Sequence, residues 1–168
     1  MLKTLVYQLR RNHALEHATI NLASQRYTDA HIAGVSDPLG FTLYTTLSAD
    51  KVVPLVREAL AALKAGQSHL AVHHNCGTNV IVTATLTTLA TLVSLGRRTK
   101  HPVRRMVERL PYAVLLNALA LLAAPSAGQW MQNKVTTDPQ VEDVEIGALF
   151  TRQVRHGVQR IRVRTDQS

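Results

Sequence analysis

Apolar residues recur at intervals of three and four along the first 27 residues of the chain. Such spacing puts them on one face of a helix, so residues 2–26 are predicted to form an amphipathic helix with that face buried. His13 and Glu16 lie on this face, and His17 lies one turn beyond His13. The face consists of Leu2, Val6, Leu9, His13, Glu16, Ile20, Ala23 and Tyr27.

The following segments alternate between strand-like and helix-like patterns. Residues 31–48 carry β-favouring runs on either side of a Ser-Asp-Pro turn, which predicts a β-hairpin. Residues 49–66 have an acidic start and a terminal glycine, as a second helix would. Residues 69–74 are predicted to be a short strand, and residues 140–150 and 157–165 two further strands that could return to the same sheet.

Two uncharged stretches, residues 75–96 and 110–133, each exceed the roughly 20 residues that a helix needs to cross a bilayer. Residues 97–109 between them hold six Lys/Arg and one Glu. This pattern predicts a two-helix membrane hairpin over residues 78–133, with a helical hairpin buried in a soluble protein as the alternative. The fold class is therefore α+β: a small α/β domain formed by 1–77 and 134–168, with the hairpin inserted.

Charge and cysteine content narrow the predicted partners. The chain has a formal net charge of +8, but its basic residues cluster between the apolar stretches without interleaved aromatics, so no nucleic-acid partner is predicted. The predicted partner is the lipid bilayer, and a protein partner or a second copy stays open. Cys76 is the single cysteine, so no intramolecular disulfide is predicted.

Two signals in the sequence give opposite predictions for the side of the membrane on which the soluble domain lies. The positive-inside rule would place residues 97–109 in the cytoplasm and residues 1–74 outside. The N-terminus, however, lacks the apolar region and cleavage site of a signal peptide. We therefore expect a two-span membrane protein whose soluble domain lies on the cytoplasmic side.

The run "HALEH" concentrates ligand-type residues on the first helix. Two histidines at i and i+4 can bind one Zn²⁺, and a nearby carboxylate can act as general base on metal-bound water. The order His-x-x-Glu-His resembles that of the inverzincin metallopeptidases, and this likeness implies His13 and His17 as ligands and Glu16 as the base. Those enzymes take a third ligand from a downstream Glu, whereas this chain has no acidic residue between Glu58 and Glu108.

A second cluster, "VHHNCGTN", offers a replacement for that third ligand. Zinc binds both imidazole and thiolate, and the His-x-x-Cys spacing allows His73 and Cys76 to reach one ion. The predicted metal ligands are thus His13, His17, His73 and Cys76, with the choice among His73, His74 and Cys76 left open. In the alternative interpretation these residues are ordinary helix histidines and a polar helix cap.

The combination of "NHALEHATI", "GFTLY" and "VHHNCGTN" before a hydrophobic hairpin resembles a family of small bacterial membrane proteins that is defined by a domain of unknown function. The resemblance implies a membrane-associated bacterial protein, and it does not indicate an activity, a substrate or a cofactor. The predicted function is a membrane-anchored zinc protein, with Glu16 as general base of a metal-dependent hydrolase. The first alternative is a non-catalytic membrane protein that makes a protein contact. The second is a cysteine hydrolase with Cys76 as nucleophile.

Overall fold

The computed structural model describes residues 2–96, 102–155 and 157–167, in two compact units. Met1–His73 and Gln132–Ser168 form unit 1, and His74–Met131 form unit 2. The elements in chain order are α1 (Leu2–Arg26), β1 (Ile32–Asp37), β2 (Gly40–Thr45), α2 (Ala49–Lys64), a 3₁₀ turn (Ser68–Ala71), α3 (Gly77–Leu95), α4 (Pro102–Met131), a π-helical turn (Gln132–Thr136), β3 (Val144–Arg155) and β4 (Val158–Gln167).

Unit 1 is built on one antiparallel sheet with the strand order β1-β2-β4-β3. In the centre of this sheet, Phe41 pairs with Val163 and Leu43 with Ile161, and all four side chains are fully buried. Burying each of them contributes about 2 kcal/mol to folding. α1 packs against β1, β2 and α2, so the core lies between the sheet and the two helices. The predicted α+β class and the return of the C-terminal strands to the sheet are confirmed.

The strand predicted over residues 69–74 is wrong, because this segment begins as the 3₁₀ turn Ser68–Ala71. Its backbone carbonyls are bonded by side chains of α1 instead of by a neighbouring strand. Asn21 donates to the carbonyls of Leu70 and Val72, and the ring of His17 pairs with the carbonyl of Ala71. A short apolar run does not reveal such side-chain partners, so the pattern alone could not separate the two structures.

The predicted burial of α1 is also wrong over its first two turns. Leu2 is 77% exposed, Val6 47% and Leu9 36%, whereas Ile20 is 4% exposed and Ala23 fully buried. The helix has the predicted length, but the core of unit 1 covers its surface from Asn12 onward.

Unit 2 consists of α3 and α4, which contact each other along their length. The segments Gly77–Leu95 and Met106–Thr136 are long and apolar enough to cross a membrane, and 6% and 11% of their most apolar windows are buried. Threonine hydroxyls of α3 donate to carbonyls four residues earlier in the same helix. Of the predicted basic linker, residues 97–101 lie outside the described residues, and the remainder forms the start of α4.

An ion pair joins the β1–β2 turn to β4, and it makes the stability of unit 1 depend on pH. Arg162 donates to both carboxylate oxygens of Asp37, and this hydrogen bond is the main cause that lowers the pKa of Asp37. A lowered folded-state pKa adds stability above the unfolded pKa of about 3.9, and this is lost as pH falls through the folded value.

We therefore expect Asp37→Asn to lower the thermal unfolding midpoint at pH 7 by the equivalent of about 0.5–1 kcal/mol, since the pair is partly exposed. The difference from wild type should shrink below pH 4 and vanish at lower pH. Thermal melts followed by circular dichroism at pH 7 and below pH 4 measure this difference. The double variant Asp37→Asn/Arg162→Gln should cost little more than the single one, and fully additive losses would contradict the pairing.

Candidate metal site

The middle of α1 carries three polar ionisable side chains toward the interior of unit 1. His17 is 2% exposed and Glu16 4%, while His13 is partly buried. The ring centroids of His13 and His17 are 4.2 Å apart, and those of His17 and His73 are 5.9 Å apart. The structure therefore brings three of the predicted ligands, His13, His17 and His73, into one group within unit 1.

Hydrogen bonds orient the first two imidazole rings. The Nδ1 atom of His13 lies 2.9 Å from the carbonyl oxygen of Thr136, and that of His17 lies 2.8 Å from the carbonyl oxygen of Ala71. A carbonyl oxygen accepts and cannot donate, so Nδ1 carries the proton in both rings. In the neutral ring the lone pair is then on Nε2. Histidines that bind metals are usually held in this way, with the other ring nitrogen on a carbonyl or carboxylate.

His13 and His17 offer two candidate imidazole ligands in unit 1, and Cys76, which is 8% exposed, is a candidate thiolate ligand in unit 2. Imidazole nitrogen and thiolate sulfur are both ligand types that zinc accepts.

Cys76 is also the N-cap of α3. Its Sγ accepts a hydrogen bond from the backbone N–H of Thr78 at 3.4 Å. His74 differs from its neighbours, because it is exposed and its Nδ1 lies 3.2 Å from the side-chain amide of Gln129.

Glu16 is held against β1. The hydroxyl of Ser36 donates to its Oε2 atom. Gly34 lies beneath the same side chain, and a Cβ added there would be 2.7 Å from the Cγ of Glu16. A glycine at this position of β1 therefore allows the strand to approach the carboxylate closely, and the serine two residues on fixes the carboxylate's orientation.

Asn12, the first residue of the "NHALEHATI" stretch, has a structural role that its residue type and spacing do not predict. It is fully buried. Its amide donates to the carbonyls of Asp37 and Pro38 at 2.9 and 3.1 Å, and its oxygen accepts from Thr165 and Gln167 at 2.6 and 2.9 Å. The residue thereby joins α1 to the β1–β2 turn and to β4, next to the candidate ligands.

Two further amides, also not predicted from the sequence, position the segment that carries His73. Asn21 donates to the carbonyls of Leu70 and Val72, both at 2.9 Å. The fully buried Gln132 accepts from the backbone N–H of His73 at 2.9 Å. The one signal in the sequence was that Asn21 falls one turn after His17, on the same side of the helix.

A family model described as "Domain of unknown function (DUF6391)" matches residues 8–149 of the chain. An uncharacterized protein of Picosynechococcus sp. (strain ATCC 27264 / PCC 7002 / PR-6) is 29% identical over 138 residues, which cover 77% of this chain. The match spans 65% of that relative's length. No solved structure matches the chain.

Proposed function

The chain belongs to the family of unknown function DUF6391, and we propose that it is a membrane-anchored zinc protein with hydrolytic chemistry. The proposed ligands are His13, His17 and Cys76, and the proposed general base is Glu16. The observation that carries the proposal is the pair His13 and His17 in unit 1, whose ring centroids are 4.2 Å apart and whose Nδ1 atoms are both bonded to backbone carbonyls.

A set of three protein ligands is typical of catalytic zinc sites, which keep a fourth position for water or substrate. A zinc ion held there would act as a Lewis acid and make its bound water more acidic. The chain's own residues would orient that water and accept its proton. Glu16 lies one residue from a ligand, and its carboxylate is held in place by Ser36, as a positioned general base requires.

The likeness to the inverzincin metallopeptidases enters the proposal through the order of residues in "HALEH". In this chain the acidic third ligand of those enzymes has no counterpart between Glu58 and Glu108. Cys76 takes that place in the proposal.

The proposed location is a membrane, with the two apolar segments Gly77–Leu95 and Met106–Thr136 as the anchor. Their lengths of 19 and 31 residues meet or exceed what a bilayer core requires of a helix. The low buried fraction of both windows supports lipid as their environment, because helices in the core of a soluble protein are mostly buried. Unit 1 is proposed to lie on the cytoplasmic side.

A second candidate function rests on His73, whose ring centroid is 5.9 Å from that of His17. If His73 is a fourth ligand, the site has no position left for water and the zinc is structural. The protein would then be non-catalytic, and its role would be a contact with a protein partner or a second copy.

Metal analysis of the purified full-length protein tests the proposal. After growth with zinc and dialysis against metal-free buffer, we expect one zinc per chain in the wild type. His17→Ala and Cys76→Ser should each lose it, because a ligand is removed. The control His31→Ala alters an exposed histidine and should keep it. A metal-free wild type, or equal zinc in all variants, would rule the site out.

Two more variants separate the catalytic site from the structural one. Glu16→Gln should keep the zinc and lose hydrolysis of a broad ester substrate, since the base is not a ligand. His73→Ala should keep the zinc if His73 is not a ligand. Loss of the zinc from His73→Ala, together with an inactive wild type, would favour the structural alternative.

A further inference from the structure

The first two turns of α1 expose an apolar stripe that the core of unit 1 does not use. Leu2, Leu5, Val6 and Leu9 are 77%, 40%, 47% and 36% exposed. Their spacing of i, i+3, i+4 and i+7 puts them on one face of the helix. A continuous apolar face on two turns of a well-formed helix indicates a surface that something covers.

Hydrogen bonds within unit 1 tie the next turn of α1 to the end of a candidate membrane span. Arg10 donates through its Nη2 to the carbonyls of Lys134 and Thr137 at 3.3 and 3.0 Å. In return, the backbone N–H of Asp138 donates to the carbonyl of Arg10 at 3.1 Å. Residues 134–136 are the last of the span Met106–Thr136.

This connection places the stripe at a defined depth if the span crosses a bilayer. The end of a membrane span lies at the level of the lipid headgroups. Along the helix axis, residues 2–9 lie at most about 12 Å from Arg10, since each residue adds a rise of 1.5 Å. The stripe therefore lies within about 12 Å of the headgroup level.

From this we infer that Leu2, Leu5, Val6 and Leu9 form an interfacial anchor, which lies at the boundary between lipid headgroups and acyl chains. The inference rests on the membrane location in the proposed function, and it does not depend on zinc. Lys3 is exposed on another side of the same helix, where a cationic side chain can meet anionic lipid headgroups. A short amphipathic helix with a cationic residue beside its apolar face is typical of membrane-surface segments.

A second copy of the chain is the rival occupant, and the size of the stripe argues against it. A stable protein interface covers about 800 Å² on each partner. Four aliphatic side chains over two turns provide a fraction of that area. A lipid boundary has no such threshold, because each buried CH₂ contributes about 0.8 kcal/mol independently of shape.

Quenching of tryptophan fluorescence by lipids brominated near the headgroup end of the acyl chains tests the anchor in the full chain, reconstituted in vesicles. The native tryptophan, Trp130, reports on the span in the wild type. In a Trp130→Phe background, Leu5→Trp and Leu2→Trp report on the stripe, and both positions are exposed enough to accept the larger ring. Val35→Trp, at a 63% exposed position of β1, is the matched control.

We expect the brominated lipids to quench the wild type and both stripe variants at least twofold more strongly than Val35→Trp. Quenching of the wild type without quenching of the stripe variants would overturn the anchor and leave the membrane span intact. If no variant is quenched, both the anchor and the membrane location fail. Stripe tryptophans shielded from acrylamide but not quenched by the brominated lipids would show that a second copy covers the stripe, which also overturns the anchor.

Discussion

Replacing Asn12 with leucine is expected to destabilise unit 1 severely, although leucine is nearly the same size and more apolar. The change removes hydrogen bonds to four partners at a fully buried position. The carbonyls of Asp37 and Pro38, the hydroxyl of Thr165 and the amide of Gln167 would each lose a partner. An unsatisfied buried group costs about 1–3 kcal/mol, and some of these groups are near enough to the surface to regain water.

The sum is about 3–5 kcal/mol, which is a large part of the 5–15 kcal/mol that stabilises a typical domain. Hydrogen exchange of the β4 peptide measures the loss inside unit 1, and circular dichroism measures the unfolding midpoint. Asn12→Asp should also destabilise, because it keeps the shape but points an acceptor at two carbonyls. The control Gln25→Leu changes an exposed amide of the same helix. Equal stability of Asn12→Leu and Gln25→Leu would contradict this role of Asn12.

Local signals were sufficient to predict most elements of unit 1. The helical period predicted α1 and α2, and the turn residues between two β-favouring runs predicted β1 and β2. The prediction of a strand after Gly66 failed, because the 3₁₀ turn there is held by Asn21 and His17, which lie about 50 positions away along the chain. Periodicity carries no information about such partners.

The candidate site shows the same division between residue type and environment. His13 and His17 could be named from ligand chemistry and helical spacing, and the structure brings their ring centroids to 4.2 Å from each other. Asn12 could not be recognised, because its bonds to Thr165 and Gln167 join residues more than 150 positions apart. Gly34 acquires its importance solely from the side chain that lies above it.

The prediction that the start of α1 is buried failed for a different reason. An amphipathic stripe indicates that one face of a helix is shielded from water, but it does not indicate what covers that face. The core of unit 1 covers Ile20 and Ala23, whereas Leu2 and Val6 stay exposed. Their coverage by lipid in the proposed anchor would satisfy the same pattern with a different partner.

Replacing Gly34 with valine is expected to have the second large effect, because β1 passes directly under the side chain of Glu16. A Cβ at this position would be 2.6 Å from the carboxylate carbon of Glu16, well inside van der Waals contact. Overpacking of this kind costs about 1–3 kcal/mol, and displacing the carboxylate from Ser36 adds about 1.5–3 kcal/mol for a lost charged hydrogen bond. The unfolding midpoint of unit 1 should fall accordingly.

The control Ala33→Val adds similar bulk one residue earlier, on the exposed face of the same strand, and should be close to neutral. A second substitution makes the test specific for the contact. In Gly34→Val/Glu16→Ala the valine occupies the space that the carboxylate leaves, so the double variant should be more stable than Gly34→Val alone. Such rescue requires a direct clash between these two positions. Without it, β1 does not hold Glu16 in place, and the proposed role of Glu16 as general base would lose its structural support.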